Sequence, residues 1–328
     1  MASDAFAHVI GHERACTVLR RALASNRLPH AILVVGPAGV GRRTLAKALI
    51  ANFLAAPLPS SIFHLPTSTF DFHPDFIRLI RETDTKTGKE KSLIGVEQVR
   101  EVREQLSRSA FSGRKALLIE EADKLGVSAQ TLLKTLEEPP GDCLIVLRAP
   151  TIDTVPATIV SRCQVIRLHT VARAEIAQAL VNKGLDAMEA QKLARLALGS
   201  PGHALRLLRD GAFRAEADIG LASFISCFGG SLPEGLRAAA ALLPKEEANK
   251  SMMLARVLAA WEQTARDVLL HQCSLSTLAT RDDAALLALV PQLPTARLQR
   301  VMHAIRQTER DAASHVNPLL ALEHIILM

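Results

Sequence analysis

Five short apolar runs punctuate the first half of the chain: AILVV (Ala31 to Val35), DFIRLI (Asp75 to Ile80), KALLI (Lys115 to Ile119), CLIVL (Cys143 to Leu147) and QVIRL (Gln164 to Leu168). Runs this short and continuous are what strands look like when a parallel sheet buries both their faces. Between them lie stretches with apolar residues at helical spacing. Ala15, Val18, Leu19, Ala22 and Leu23 share one face over about 13–25, and TLAKALIANFLAA (Thr44 to Ala56) reads as the next helix. Val96, Val99, Val102 and Leu106 mark a third. AQTLLKTLEE is a fourth, placed for capping by Ser128 and stopped by Pro139 and Pro140. Strands alternating with helices predict a doubly wound parallel sheet. After about His169 the strand signal ends. Short helices fill 172–209, interrupted by GSPG (Gly199 to Gly202), and 211–328 is rich in Ala and Leu at helical spacing throughout. The expected architecture is α/β plus all-α, divided at 1–169, 170–210 and 211–328.

Composition narrows the class. With 328 residues, 48% hydrophobic and 22% charged, the chain has the make-up of an ordinary soluble protein with room for two or three domains. It has no uncharged apolar run long enough to cross a bilayer, and MASDAFAHVIGHERA lacks the basic and apolar regions of a secretory signal. Five dispersed cysteines without C-x-x-C spacing argue for a reducing cytoplasm and against a disulfide framework or zinc site. The net charge of +6 permits an anionic partner such as nucleic acid, while 3% aromatics and no tyrosine disfavour base-stacking platforms.

Chemistry enters with GPAGVGRRT, Gly36 to Thr44, between a buried strand and a helix. There, free amides and the helix dipole favour an anion. A working phosphate loop reads G-x-x-x-x-G-K-[ST], with lysine on the β- and γ-phosphates and a hydroxyl on magnesium. Gly36 and Gly41 have that spacing, but Arg42 stands for the lysine and Arg43 for the hydroxyl. A guanidinium is a wide planar fork, not a compact ammonium. Arg43 cannot ligate magnesium, and Thr44 points about 100° away from the required direction. A plain glycine turn is the alternative. ALLIEEAD (Ala116 to Asp123) weighs against it, because a strand ending in two acids can supply a magnesium-associated acid, Glu120, and a water-activating one, Glu121. Glu120 is one methylene longer than the usual aspartate. Further on, Arg162 lies between Ser161 and Cys163 in IVSRCQVIRL, where alone it reads as a surface arginine.

GPAGVGRRT, LLIEEADKL, LLKTLEEPP, SRC and GSPGHAL, in this order, resemble the subunits of the bacterial clamp loader, an AAA+ assembly, above all its delta-prime type. HPDFIRL, IGVEQVREV and NPLLALEHIIL extend the resemblance over essentially the whole chain. It implies a RecA-like AAA+ domain with a degenerate nucleotide site, a small helical lid and a helical collar joining a five-subunit ring. It implies that Arg162, flanked by Ser161 and Cys163, is an arginine finger reaching the ATP site of a neighbouring motor subunit. Gly202 falls where ATP-hydrolysing relatives carry a lid arginine. The implied nucleotide-site residues are Gly36, Gly41, Arg42, Arg43, Thr44, Glu120 and Glu121. ATP or ADP can occupy such a loop without hydrolysis. The implied partners are tau/gamma motor and delta subunits, the sliding clamp through the complex, and primer–template DNA, with no membrane. Many relatives carry a four-cysteine zinc module, but residues 55–74 contain no cysteine, so no zinc or other metal is expected. For DNA, the basic residues Lys86, Lys89, Lys91 and Arg100 near the start of the Val96 helix are candidates, foremost Lys91 and Arg100. A motor-type tau/gamma-like ATPase with a variant loop, and an AAA+-derived scaffold, are the alternatives. Nothing resembles a polymerase active site.

Overall fold

The computed structural model describes residues 5–55, 73–83, 90–243, 247–311 and 317–328. It divides into two compact units: one comprises Met1–Asp186 and Gly199–His203, the other Ala187–Leu198 and Ala204–Met328.

The first unit is built on the five expected strands: β1 (Ala31–Val35), β2 (Phe76–Leu79), β3 (Lys115–Ile119), β4 (Cys143–Ala149) and β5 (Gln164–Arg167). All pair in parallel, in the order β2-β3-β4-β1-β5. Parallel neighbours need crossover connections, and here these are helical. They include α2 (Arg42–Ala55), α3 (Val96–Ser107) and α4 (Ala129–Glu137), with α1 (Glu13–Ala24) preceding β1. Ile32, Leu33 and Val34 on β1 are fully buried, as are Leu117 and Leu118 on β3. Each such side chain contributes about 1.5–3 kcal/mol of burial. Two apolar clusters separate by strand alternation. Leu33, Leu117 and Ile145 face α3 and α4 residues such as Val99 and Leu132, while Ile32, Leu118 and Val146 face Leu45 and Leu49 of α2.

Two expectations change in detail. Helix α2 begins at Arg42, two residues before Thr44, because the loop ends at Gly41 and arginine is a good helix former. Ser128 does not cap α4. Its backbone is already helical (φ −65°, ψ −17°), in a single tight turn over Gly126–Ser128, and its hydroxyl donates back to the Leu125 carbonyl at 2.5 Å.

The unit closes with α5 (Ala157–Val160), β5 and α6 (Arg173–Val181). The second unit is helical: α7 (Ala187–Leu196), most of α8 (Pro201–Arg209), α9 (Gly211–Phe228), α10 (Leu232–Leu242), α11 (Glu247–Gln272), α12 (Ala284–Leu289), α13 (Thr295–Asp311) and α14 (Pro318–Leu327). Its core centres on Trp261, packed edge-on to Phe228 at 5.2 Å between centroids and bonded through its indole N–H to Ser223 at 3.0 Å. Asp267 is fully buried there and accepts from the Thr280 and Arg281 amides and the Thr280 hydroxyl, which removes the penalty of an isolated buried carboxylate.

Candidate functional site

The glycine loop turns from β1 into α2 at the carboxyl end of the sheet. Gly39 adopts φ +71°, a left-handed conformation, and a Cβ there would collide with the Ser200 hydroxyl. The segment Gly199–His203, where the GSPG motif opens α8, lies directly on the loop. The Gly202 amide donates to the Gly39 carbonyl at 2.8 Å, and the Ser200 hydroxyl donates to the Ala38 carbonyl at 3.3 Å. A Cβ on Gly202 would stand 2.7 Å from the Gly39 oxygen, so no larger residue fits there with the loop so placed.

Strand order assembles the acid site. Glu120 follows the last residue of β3, with β2 on one side and β4 on the other. Arg78 of β2 donates from Nε to Glu120 Oε1 at 2.9 Å, and Arg148 of β4 donates from Nη2 to Oε2. Arg43, in the first turn of α2, adds Nε at 3.2 Å from Oε1. The Glu120 side chain is only 4% exposed, so its charge is stripped of water and met by three guanidiniums. Burial pushes the Arg148 guanidinium below its ordinary value, and Glu120 works in the opposite direction. Arg42 is lowered as well, first by burial and then by Arg148, against an opposing pull from Asp123.

Glu121 is engaged by a fork. Arg81 donates from Nε to Oε2 at 2.7 Å and from Nη2 to Oε1 at 2.8 Å, a bidentate pair. The same Arg81 reaches Glu90 and the Lys91 carbonyl. Its bonds to Glu121 raise the guanidinium further above its already high value. Thr44 is exposed on the first turn of α2.

Arg162 stands elsewhere in the same unit, just past α5. Its Nε donates to Glu137 Oε1 at 2.7 Å and its Nη2 to the same oxygen, while Nη1 reaches the Thr158 carbonyl at 3.0 Å and the Ser161 hydroxyl at 3.3 Å. Cys163 is turned inward against the core, and burial pushes its thiol up to about 12. Of the SRC triplet, therefore, Arg162 and Ser161 present polar groups together and Cys163 packs. The nucleic-acid candidates are exposed and carry acidic partners: Arg100 pairs with Glu97 at 2.6 Å and Lys91 with Glu82 at 2.6 Å. Lys86 and Lys89 lie outside the described residues, as do 56–72 of the segment expected to lack zinc. Among the described residues no group of three or more His, Cys, Asp or Glu is placed to hold a metal ion, and no helix is long and apolar enough to cross a membrane.

Sequence reasoning missed Arg78, Arg81 and Arg148. Arginines inside or just after the apolar strand runs were visible, but Arg167 in QVIRL is exposed, so their position alone did not point to Glu120.

These residues fall in a matched region. Residues 11–172 match the family model described as DNA polymerase III, delta subunit. The DNA polymerase III subunit delta' of Pseudomonas aeruginosa is 34% identical over 201 residues, 58% of this chain and 59% of that one. The matched half of the chain is similar to the clamp-loader subunits of DNA polymerase III. Two more of these subunits match. The gamma subunit of Buchnera aphidicola subsp. Acyrthosiphon pisum is 27% identical over 292 residues, 83% of this chain and 78% of that one. The tau subunit of Bacillus subtilis is 30% identical over 225 residues, 65% of this chain but only 38% of that one. The chain thus spans between 38% and 78% of the length of these three clamp-loader relatives. The family match contains the glycine loop, Glu120 with its arginines, and Arg162, and it ends before α6.

Proposed function

We propose that this chain is a delta-prime-type clamp-loader subunit that does not hydrolyse ATP itself and supplies Arg162 in trans to a neighbouring motor subunit. Three guanidiniums on the carboxylate of Glu120 are the observation that carries the proposal. A magnesium-nucleotide site needs that acid, directly or through water, on the metal. Here Arg43, Arg78 and Arg148 already satisfy it, Arg43 holds the place of the metal's hydroxyl ligand, and Gly202 lies against the loop. These residues do not fit a magnesium-bound nucleotide.

Arg162 has the opposite character. It is a third exposed, at the surface, with a carboxylate and a carbonyl as its main partners. A guanidinium presented in this way neutralises charge developing on the γ-phosphate of ATP held by another subunit. Arg100 and Lys91 belong to the same proposal as phosphate contacts to primer–template DNA, each adding to the salt dependence of binding without sequence preference. So do the ring partners and the three-part plan of AAA+ domain, lid and collar.

The test is ATP turnover by a reconstituted loader carrying Arg162→Ala. An arginine finger contributes about 10³-fold or more at the site it serves. Loss of that order supports the proposal, and unchanged turnover removes Arg162 from the mechanism. Similarity to gamma and tau subunits favours a second reading, a motor ATPase with a variant loop. Magnesium-dependent turnover by the isolated chain, with DNA present, would select that second reading.

A further inference from the structure

Resting on the finger assignment above, we infer that Glu137 is a positioning residue for Arg162: it holds the guanidinium in one orientation, with one N–H left for an incoming phosphate oxygen.

The argument starts from where Glu137 lies. It is the last residue of α4, followed by Glu138 and the two prolines that end the helix. Carbonyl groups left without partners make a helix C-terminus the negative end of its dipole, so an acid there is disfavoured unless a cation joins it. Arg162 is that cation. It comes from 25 residues further along the chain, which local sequence preference does not explain.

Counting donors gives the geometry its meaning. A guanidinium has five N–H groups in a fixed plane. Nε and Nη2 donate to Glu137 Oε1, and the two hydrogens of Nη1 are matched by the Thr158 carbonyl and the Ser161 hydroxyl. One N–H of Nη2 remains. Two opposite sides of the plane are therefore fixed, one by α4 and one by the last turn of α5. An arginine without such contacts would distribute over many rotamers, at about 2 kcal/mol of side-chain entropy. Glu137 is half exposed, and exposed ion pairs contribute at most about 1 kcal/mol. The contact orders Arg162 without trapping it.

The experiment uses the assembled loader with this chain as wild type, Arg162→Ala, Glu137→Ala, Glu137→Gln, or the Ala/Ala double variant. Steady-state kcat and KM for ATP are measured for each. Glu137→Ala is expected to lower kcat by about tenfold through misplacement of the finger, with KM changed by less than about twofold. Glu137→Gln keeps an acceptor oxygen at the same place and is expected to recover most of the loss. In the double variant kcat should equal that of Arg162→Ala, because a positioning residue has nothing left to position. Unchanged or faster turnover in Glu137→Ala overturns the inference, and so does a Glu137→Ala loss that persists without Arg162. If Arg162→Ala leaves turnover intact, the finger assignment has failed and this inference falls with it. If Arg162→Ala is damaging and Glu137→Ala is silent, only the positioning role is lost.

Discussion

At Glu120 three guanidiniums converge on one carboxylate whose side chain is 4% exposed. At Arg162 a single guanidinium, a third exposed, leans on a carboxylate that is half exposed. Both are arginine–glutamate contacts in the same unit, yet their surroundings make them different objects. In the first, the Glu120 carboxylate and Arg148, 16% exposed, have largely left water and depend on each other to offset that desolvation, while Arg43 and Arg78 stay 49% and 35% exposed. In the second, water screens both partners and would solvate either one if the other left. The first arrangement can therefore hold a structure together but is poorly suited to exchanging its partner for a ligand. The second contributes little to stability and can give up its partner readily.

That contrast predicts opposite responses to mutation. The largest effect is on catalysis: Arg162→Ala removes about 10³-fold of ATP turnover at the site it serves in the assembled loader. Its cost in stability should stay within about 0.5 kcal/mol, read from chemical denaturation. Glu120→Ala should invert the pattern. It strands the largely buried Arg148 and should destabilise the unit by about 3 kcal/mol. If Glu120→Ala proves neutral in stability, the cluster is solvated and the comparison fails.

A smaller effect sharpens the point at another buried acid. Asp75 precedes β2 and accepts from the Phe111 amide at 2.8 Å and from both the amide and hydroxyl of Ser112 at 2.6 Å. Burial works against ionisation of Asp75. The hydroxyl, the two amides and nearby His73 together outweigh it and hold the carboxyl below its ordinary value. A depressed folded pKa means that Asp75 contributes stability above the ordinary carboxylate value, and that this contribution disappears as pH falls through the lower folded value. Asp75→Asn should cost about 2 kcal/mol at neutral pH and flatten the acid limb of a stability–pH profile. An unchanged acid limb would show that other carboxylates carry it. The smallest effect is an absence: magnesium with ATP should leave the melting temperature of the isolated chain where it was. A ligand at 100 times its Kd would add about 2.7 kcal/mol to the stability of the folded state. A clear upward shift would place a nucleotide on this chain, and magnesium-dependent turnover by the isolated chain would then select the gamma- and tau-like reading.

The strands were readable from the sequence because their burial is continuous. AILVV and KALLI coincide with β1 and β3 residue for residue, since an uninterrupted apolar run has only one buried setting here. The face of α3 was readable for the same reason, with Val99, Val102 and Leu106 buried. In α1, however, Val18, expected on the inner face, is 55% exposed and Cys16 is buried instead, because the buried face is centred on Cys16 and Leu19. Ser128 was misjudged because a serine before an apolar helix fits both a cap and a preceding tight turn, and the choice depends on backbone angles set by Leu125 and Gly126. The glycine loop and the two acids could be found by spacing, but their state could not. Arg78 and Arg148 meet Glu120 across 42 and 28 residues, a juxtaposition created by strand order rather than by local pattern. Glu137 was visible as part of LLKTLEEPP, yet its pairing with Arg162 needs α4 and α5 brought together.

The close approach of Gly202 to Gly39 has a consequence for how such a chain can change over time. Gly202 gives an amide and Gly39 a carbonyl, and a Cβ at 202 would stand 2.7 Å from that carbonyl oxygen, while one at 39 would meet the Ser200 hydroxyl. An arginine cannot enter at position 202 in one step, because the loop must first move away. Moving the loop alone forfeits the contact without gaining the arginine. On the proposed reading, placing an arginine at 202 therefore needs a loop movement and a substitution together. A loop that does not hydrolyse ATP, as proposed, is held in that condition by its own packing.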